Sequence, residues 1–410
     1  MKVWLKLLIG SLLGVMLGFL LPHGNEAFTG ALFWLESFAI RIGRYTAAPI
    51  MLFSLTIAVY ELRQDGQFWR LVFRAVPFLL ITAAVVILAG ILATLSFPPG
   101  RIPIATAEQV ETLALGTGDN VRDLFPSNML SVPGGDGIYL LPVYVFAFFL
   151  GIGLSYDRSY VKPVIALVDS LSRIFYHIAS LFSEILGIVM IALGAYWAVS
   201  FQGLLKTEGF RDLVVLLGVL AFVLGFVVFP LLLYLLKPAV NPWRILYGTL
   251  GAGIAGFFSG DINFTLPVLL RHVRENLGVR RRANAVTLSI FSSFGRAGSA
   301  MVAAVAFIVI IKSYSSLEIT RLDILTIAVR AFLVSFLLVR RPGDGAFTAL
   351  AVLCLGYGQN FDAGYLILKP MAFYLAAVGT FLDVVIASFA SFVIARQTGF
   401  QEDKTTEHFI

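Results

Sequence analysis

The segment LLVRRPGDGAF, residues 337–347, interrupts a part of the chain that is otherwise almost entirely apolar. Two arginines, a proline, an aspartate and two glycines stand where a membrane helix would continue unbroken. Proline removes a backbone donor and glycine permits a tight turn. Non-helical backbone at membrane depth is tolerated only where protein or a water-filled cavity surrounds it. The segment therefore predicts the tip of a re-entrant helical hairpin over about residues 322–368.

A second interrupted segment lies earlier in the chain, over about residues 245–270. Its 26 residues carry a single charge, Asp261, which follows Ser-Gly and precedes Ile-Asn-Phe-Thr-Leu-Pro. The apolar arms on either side, of about a dozen residues each, are too short to cross a hydrocarbon core of about 30 Å. We therefore predict a second re-entrant hairpin here.

The composition fixes the class of protein. Of the 410 residues, 59% are hydrophobic and only 13% are charged, and the mean hydropathy is +0.90. Soluble domains have about 45–50% apolar and about 25% charged residues. Alternating ten-residue strands, which a membrane β-barrel needs, are not found in the sequence. These numbers predict an all-α polytopic membrane protein with one integrated membrane domain, embedded in a lipid bilayer.

The same composition bears on cofactors and partners. The single Cys354 excludes an intrachain disulfide framework and a CxxC metal site, and the four histidines lack metal-binding spacing. We expect no metal and no cofactor. The net charge of +6 is attributed to loop arginines that set the topology, and no nucleic-acid partner is expected.

Eight full spans accompany the two hairpins. They are predicted at about residues 3–22, 31–60, 71–97, 138–155, 164–200, 211–236, 283–311 and 370–395. Lys2 and Lys6 precede the first span, and Arg396 and Lys404 follow the last one. Positive residues favour the cytoplasmic side. The protein is therefore predicted to be multi-pass in the cytoplasmic (inner) membrane, with both termini cytoplasmic.

Each predicted hairpin is followed by a span with one central charge. Arg296 is the fourteenth residue of 283–311, and Asp383 is the fourteenth of 370–395. Paired discontinuous segments point to the binding site of a transporter at the bilayer midplane. A charge at that depth costs about 2.5–3.5 kcal/mol and usually marks a substrate or ion pathway. A direct role in binding and a purely structural pairing of these charges both remain open.

Two further expectations concern the remaining residues. Arg41 and Arg44, within the second span, are expected to extend to the membrane interface or to face another subunit rather than to contact substrate. The sequence contains no nucleophile elbow, P-loop or paired catalytic carboxylates. We therefore expect that the protein is not an enzyme.

Several motifs resemble the dicarboxylate/amino acid:cation symporter family, which includes the glutamate transporters. The segments LKLLIGSLLGVMLGFLLP (5–22), FPSNML (125–130), LLPVYVFAFFLGIGLS (140–155) and TLPVLLRHVRENLGV (265–279) are similar to the family's patterns, and RPGDG (341–345) stands where the family has VPGGG. The resemblance covers nearly the whole chain. It implies a glutamate-transporter-like elevator fold and a homotrimer.

The resemblance also implies a division of each protomer. Residues 1–242 would be mainly scaffold and trimerisation helices, with the third span joining the transport region. Residues 243–397 would form the transport region, with both hairpins and the seventh and eighth helices. Residues 398–410 would be a cytoplasmic tail.

The chain departs from the family at its functional motifs. Asp261-Ile262-Asn263 stands in place of a serine-rich tip, and residues 295–299, Gly-Arg-Ala-Gly-Ser, replace NMDGT. The arginine that would bind a substrate carboxylate aligns with Gly379, and a sodium-binding aspartate aligns with Ala387. The departures favour coupling to protons over coupling to sodium.

The expected function is a secondary active symporter for a small organic anion, an acidic amino acid or a dicarboxylate. The expected substrate-binding residues are Asp261, Ile262, Asn263, Arg296, Ser299, Arg341, Gly343, Asp344, Gly345, Thr380 and Asp383, and the expected coupling-ion residues are Asp383, Gly295 and Ser293. The alternatives are a transport-defective relative that acts as a membrane sensor or scaffold, and an anion-conducting channel.

Overall fold

A computed structural model describes residues 2–20, 26–102, 125–126, 128–134, 137–156, 158–205, 209–236, 241–314, 320–357, 363–405 and 409–410. The predicted all-α class is confirmed: in these ranges the regular secondary structure is helical, and the pairing of extended chain is limited to an isolated bridge between Val279 and Gln401. Ser127 of the FPSNML motif lies outside the described residues.

The described residues of the first part of the chain form eight α-helices. They are α1 (Val3–Leu20), α2 (Glu26–Arg44), α3 (Ala47–Gln64), α4 (Phe68–Ser96), α5 (Leu141–Gly153), α6 (Arg158–Leu205), α7 (Arg211–Phe222) and α8 (Phe229–Leu236). A π-helical turn, Val223–Val228, joins α7 to α8. A short 3-10 helix, Met129–Gly134, precedes α5.

The second part forms two hairpins, each followed by a long helical segment. The first hairpin is α9 (Pro242–Ser259) and α10 (Ile262–Glu275), and it is followed by α11 (Arg281–Phe294) and α12 (Ala297–Tyr314). The second hairpin is α13 (Arg321–Ser335), a 3-10 turn (Leu338–Arg340) and α14 (Gly345–Tyr357). A 3-10 segment, Gly364–Met371, leads into α15 (Ala372–Thr398). Both predicted tips thus coincide with interruptions of helix.

Seven helical segments within the described ranges are long and apolar enough to cross a membrane. They are Val3–Leu20, Phe28–Gln64, Phe68–Ser96, Tyr160–Leu205, Arg211–Leu235, Arg281–Tyr314 and Gly364–Thr398. The remaining predicted span corresponds to α5, whose 13 residues extend about 20 Å at about 1.5 Å per residue. The polytopic membrane class is confirmed, and α5 is shorter than predicted.

Two predicted spans contain breaks that the apolar pattern did not indicate. The second is divided at Tyr45-Thr46 into α2 and α3. The seventh is divided at Gly295-Arg296 into α11 and α12, so its central arginine stands at a break in the helix. The Gly295 amide donates to the Phe291 carbonyl and ends α11.

The centre of the molecule is formed by α12 and α15. Every residue of α12 from Ala297 to Ile311 is buried, and α15 is buried over most of its length. By contrast, α1 and α4 carry exposed apolar side chains such as Leu12, Met16 and Phe73. The central charges of the predicted repeat therefore lie in the protein interior, while the outer helices present apolar surface.

Candidate functional site

The tips of the two hairpins contact each other. In the first tip, Gly260 adopts a left-handed conformation (φ +61°) that ends α9. Asp261 then caps α10: its Oδ1 accepts a hydrogen bond from the Phe264 amide at 2.8 Å. The next amide, that of Ile262, donates to the Pro342 carbonyl of the second tip at 3.5 Å. One backbone contact thus joins the two segments that the sequence singled out.

A buried ion pair lies beside the tips. The Arg296 Nε donates to the Asp383 Oδ2 at 2.8 Å, and both side chains are 1% exposed. Arg296 comes from the break between α11 and α12, and Asp383 from the middle of α15. The two central charges of the sequence repeat are therefore partners of each other.

The Asp383 carboxylate accepts four hydrogen bonds. Besides Arg296, the Gly298 amide donates to Oδ1 at 2.7 Å, the Ser299 amide donates to Oδ1 at 3.2 Å, and the Ser299 hydroxyl donates to Oδ2 at 2.6 Å. The two amides belong to the first turn of α12, where the partial positive charge of a helix N-terminus stabilises an anion. The break at Gly295-Arg296 therefore creates the anion-binding position that Asp383 fills.

The Arg296 guanidinium also reaches the second tip. Its Nη2 donates to the Pro342 carbonyl and to the Ser299 hydroxyl, each at 3.3 Å. Its Nη1 is buried and has no hydrogen-bond partner among the described residues. A Cβ on Gly345 would lie 3.1 Å from the Arg296 Cζ. Gly345 thus allows the second tip to sit directly on the guanidinium.

Thr380 connects α15 to the first tip. Its hydroxyl donates to the Gly260 carbonyl at 2.8 Å, and the side chain is buried. The neighbouring Gly379 packs against α12, since a Cβ there would lie 2.9 Å from the Ser299 Cα. A long side chain at position 379 therefore has no room, and the Ser299 hydroxyl that faces this position accepts a hydrogen bond from Arg296.

A second arginine pairs with the first tip. Arg44 was expected to extend to the membrane interface or to another subunit, but its Nε donates to the Asp261 Oδ2 at 2.9 Å, and Nη2 contacts the same oxygen. Arg41 is exposed. The sequence analysis did not predict that Arg44 pairs with the first tip, and it did not identify Glu36. The available signal was that these two charged residues are eight positions apart on one face of a largely apolar helix.

A cavity of about 230 Å³ adjoins this arginine. Its wall includes α2, α6, both tips and the start of α15, and its polar side chains are Glu36, Arg44, Tyr196, Ser259, Asp261 and Asp344. A larger cavity of about 490 Å³, lined mostly by apolar side chains of α3, α4, α5 and α11, does not include the Arg296–Asp383 pair. The larger cavity is lined by Leu337 and Arg340 at the start of the second tip segment, whereas the smaller cavity is lined by residues of both tips.

Some predicted site residues lie apart from the central pair. The Asn263 amide group donates to the Ile138 carbonyl at 2.8 Å. Arg341 is exposed, and Gly343 and Asp344 line the smaller cavity. The Ser293 hydroxyl is buried without a hydrogen-bond partner in the described part of the chain. No group of three or more His, Cys, Asp or Glu side chains that could hold a metal ion is found among the described residues.

Comparison with known proteins identifies the family. Residues 3–397 match the sodium:dicarboxylate symporter family. The chain belongs to this family. Its members are transporters, so the sodium:dicarboxylate symporter resemblance seen in the motifs is confirmed, and the expectation that the protein is not an enzyme agrees with it.

Individual relatives within the family are distant. The human neutral amino acid transporter B(0) is 26% identical over 355 residues, which cover 77% of this chain and 64% of the relative. The proton/sodium-glutamate symport protein of Bacillus subtilis is 23% identical over 371 residues, covering 85% and 82%. The bovine excitatory amino acid transporter 1 is 25% identical over 263 residues, covering 62% and 47%. The chain thus spans about two thirds of the human relative and about half of the bovine one.

Proposed function

We propose that this protein is a secondary active symporter that moves a small organic anion, an acidic amino acid or a dicarboxylate, across the cytoplasmic membrane. The observation that carries the proposal is the meeting of both hairpin tips at the buried Arg296–Asp383 pair. An arginine at this depth matches the planar fork of a carboxylate. The relatives named for glutamate and amino acid transport support the same substrate class.

The proposed mechanism is an exchange of partners at Arg296. The Arg296 Nη1 has no hydrogen-bond partner among the residues that the structure describes, so it is available to a substrate carboxylate. When the anion draws the guanidinium toward itself, Asp383 loses one of its four donors. A carboxylate that loses a cationic partner in a dry site binds a proton more readily. The anion and one proton then enter together.

Proton coupling is proposed over sodium coupling for a chemical reason. Sodium prefers several hard oxygen ligands, and one sodium-binding carboxylate of the family is Ala387 here. The candidate coupling-ion residues that remain are Asp383, Gly295 and Ser293. Of these, only Asp383 carries a titratable side chain.

We further propose an elevator movement within a homotrimer. Residues 243–397 would move as the transport region, together with the third span, against a scaffold of mainly residues 1–242. The exposed apolar side chains of α1 and α4 are consistent with contact to lipid or to other subunits. Lys2, Lys6 and Arg396 favour cytoplasmic termini.

Uptake by reconstituted vesicles tests the proposal. Labelled aspartate, glutamate and C4 dicarboxylates are offered with a pH gradient in sodium-free buffer, and separately with a sodium gradient at equal pH. We expect uptake that follows the pH gradient. Asp383→Asn should abolish the response to that gradient, whereas Asp403→Asn, on an exposed segment, should not. Uptake that ignores the pH gradient but follows sodium refutes proton coupling.

The closed ion pair also favours a second candidate, a transport-defective relative that senses an anion. Binding of the same ligands without uptake would support that candidate, and a steady anion current without stoichiometric uptake would support a channel. Failure of every offered acid both to bind and to be taken up removes the anion carrier proposal.

A further inference from the structure

The tip of the first hairpin is held from outside the candidate site by α2. Arg44, at the end of α2, makes an ion pair with Asp261, and the two side chains are 19% and 1% exposed. The same carboxylate caps α10 through its other oxygen. The Asp261 side chain therefore both caps α10 and pairs with Arg44. The ion pair requires its negative charge, whereas the cap can also be made by a neutral asparagine.

A second contact joins the same two elements. Gly43, next to Arg44, lies directly against the Phe264 ring, so that a Cβ at position 43 would overlap the ring. Phe264 is 0% exposed. Since any side chain larger than hydrogen would push the ring away, the approach of α2 to the tip is close as well as charged.

From Arg44, contacts continue without a gap to the central pair. Asp261 is followed by Ile262, whose amide donates to the Pro342 carbonyl. That carbonyl also accepts from Arg296, which holds Asp383. The tip of the second hairpin lies between the two arginine–aspartate pairs. A Cβ on its Gly343 would lie 3.0 Å from the Asp261 Oδ2, and its Gly345 contacts Arg296.

We propose that Arg44 is a positioning residue for anion binding. By neutralising Asp261, Arg44 keeps the first tip in contact with the second. This contact fixes the position of the Pro342 carbonyl, which accepts a hydrogen bond from Arg296. Arg44 and Asp261 both line the 230 Å³ cavity. This inference rests on the proposed function in taking Arg296 as the group that binds the anion.

The physical reason is the cost of an uncompensated charge. Asp261 is almost fully buried, and removal of one partner of a buried pair leaves the other desolvated and unpaired. Without Arg44, a movement of the Asp261 carboxylate further into the cavity that it lines would reduce the desolvation cost of its charge. The first tip moves with it, because Asp261 is part of the tip.

Four variants separate charge from shape. Arg44→Gln removes the charge of the arginine, and Arg44→Lys retains it. Asp261→Asn removes the charge of the aspartate while keeping a good helix cap, since Asn is as favourable as Asp at that position. The fourth is the double variant Arg44→Gln/Asp261→Asn. Arg41→Gln is the matched control, because Arg41 lies three residues away on the same helix and is exposed.

The first measurement is access to the tip. Ile262→Cys is introduced together with Cys354→Ala, which removes the single native cysteine, and a water-soluble maleimide is applied to the purified full-length protein. Ile262 is 1% exposed, so labelling is slow while the tips are closed. Arg44→Gln should raise the labelling rate by at least about tenfold, Arg44→Lys should raise it less, and Arg41→Gln should not raise it.

The second measurement is the apparent KM for the anion in vesicles, normalised to folded protein. Arg44→Gln and Asp261→Asn should each raise the apparent KM by about tenfold or more, and the double variant should show little further increase because both act on one pair. A merely structural role would lower the amount of folded protein and leave the KM and the labelling rate of the folded fraction unchanged.

An unchanged KM and an unchanged labelling rate in the folded fraction of the Arg44 variants overturn the inference. So does an equal effect of Arg41→Gln, or independent and additive effects of Arg44→Gln and Asp261→Asn. The labelling experiment does not require transport. It therefore tests whether Arg44 keeps the first tip closed even if no uptake is observed. If uptake is observed and only the Arg44 variants behave as wild type, this inference fails and the proposed function stands.

Discussion

Removal of both members of the Arg296–Asp383 pair should destabilise the protein by less than the sum of the two single removals. Three variants are compared: Asp383→Asn, Arg296→Met, and the two together. Asparagine keeps an oxygen for the two α12 amides that now bind Asp383, and methionine has no charge to leave unpaired. The comparison therefore isolates the ion pair from the hydrogen bonds around it.

The magnitude follows from the geometry. At the Nε–Oδ2 distance of 2.8 Å, the Coulomb attraction is about 6 kcal/mol for an effective dielectric constant of about 20. Burial of each ion costs several kcal/mol, so the intact pair roughly balances. A single replacement loses the attraction but retains the desolvation cost of the remaining ion. We expect each single variant to lose about 3–5 kcal/mol, and the double variant to lose much less than their sum.

The assay is the free energy of unfolding of the purified protein in detergent micelles, obtained by denaturant titration and checked by the melting temperature. The double-mutant cycle should give a coupling energy of about 3 kcal/mol. Additive single effects would refute the reasoning, because they would mean that Arg296 and Asp383 are not energetic partners despite their contact.

Three further predictions concern the surroundings of the pair. Gly345→Ala should displace the Arg296 guanidinium and cost about 1–3 kcal/mol of unfolding free energy, as overpacking of a buried site does. Thr380→Val removes the hydroxyl that donates to the Gly260 carbonyl, and should cost about 1–3 kcal/mol because the carbonyl is left unpaired. Arg281→Gln removes ion pairs to both α3 and α6, and should cost less, about 1 kcal/mol, with an effect that shrinks at high salt because these partners are partly exposed.

Matched controls accompany these three measurements in the same denaturant titration. Gly30→Ala places a methyl group in open space within α2 and should be neutral or slightly stabilising. Thr326→Val removes an exposed hydroxyl that donates to the Leu322 carbonyl of its own helix and should have little effect. Arg70→Gln replaces an exposed arginine. If a control loses as much unfolding free energy as the variant it is matched to, the contact removed in that variant is not the cause of its loss of stability.

The hairpins and the central charges were predictable from the sequence because both are exceptions in an apolar background. Asp261 and the Pro342 segment break runs that would otherwise be continuous helix, and their helices are indeed interrupted there. Arg296 and Asp383 are each the only charged residue of a long apolar segment. Because a buried charge is unfavourable unless it is paired, each was expected to have a partner. Composition alone was enough to establish the polytopic class.

The pairing pattern was not predictable in the same way. Which carboxylate meets which arginine depends on how helices pack, and Arg44 lies 217 positions from Asp261 in the chain. Within the predicted second span, Arg44 was expected to reach the membrane interface or another subunit, because the sequence indicates no partner for it. The break at Tyr45-Thr46 was hidden because neither residue ends an apolar run in the way that proline or glycine does.

The Arg44–Asp261 pair explains how the first tip can carry a buried charge that the family pattern lacks. Gly379 cannot hold an arginine, because its Cβ position is filled by α12, and the guanidinium is supplied from the helix break at Arg296 instead. A guanidinium at that point needs a carboxylate while the site is closed, and Asp383 provides it. Under the proposed function, an incoming anion would compete with the Asp383 carboxylate for Arg296, and its binding would be favoured when Asp383 gains a proton. The two charges would then share one role in coupling.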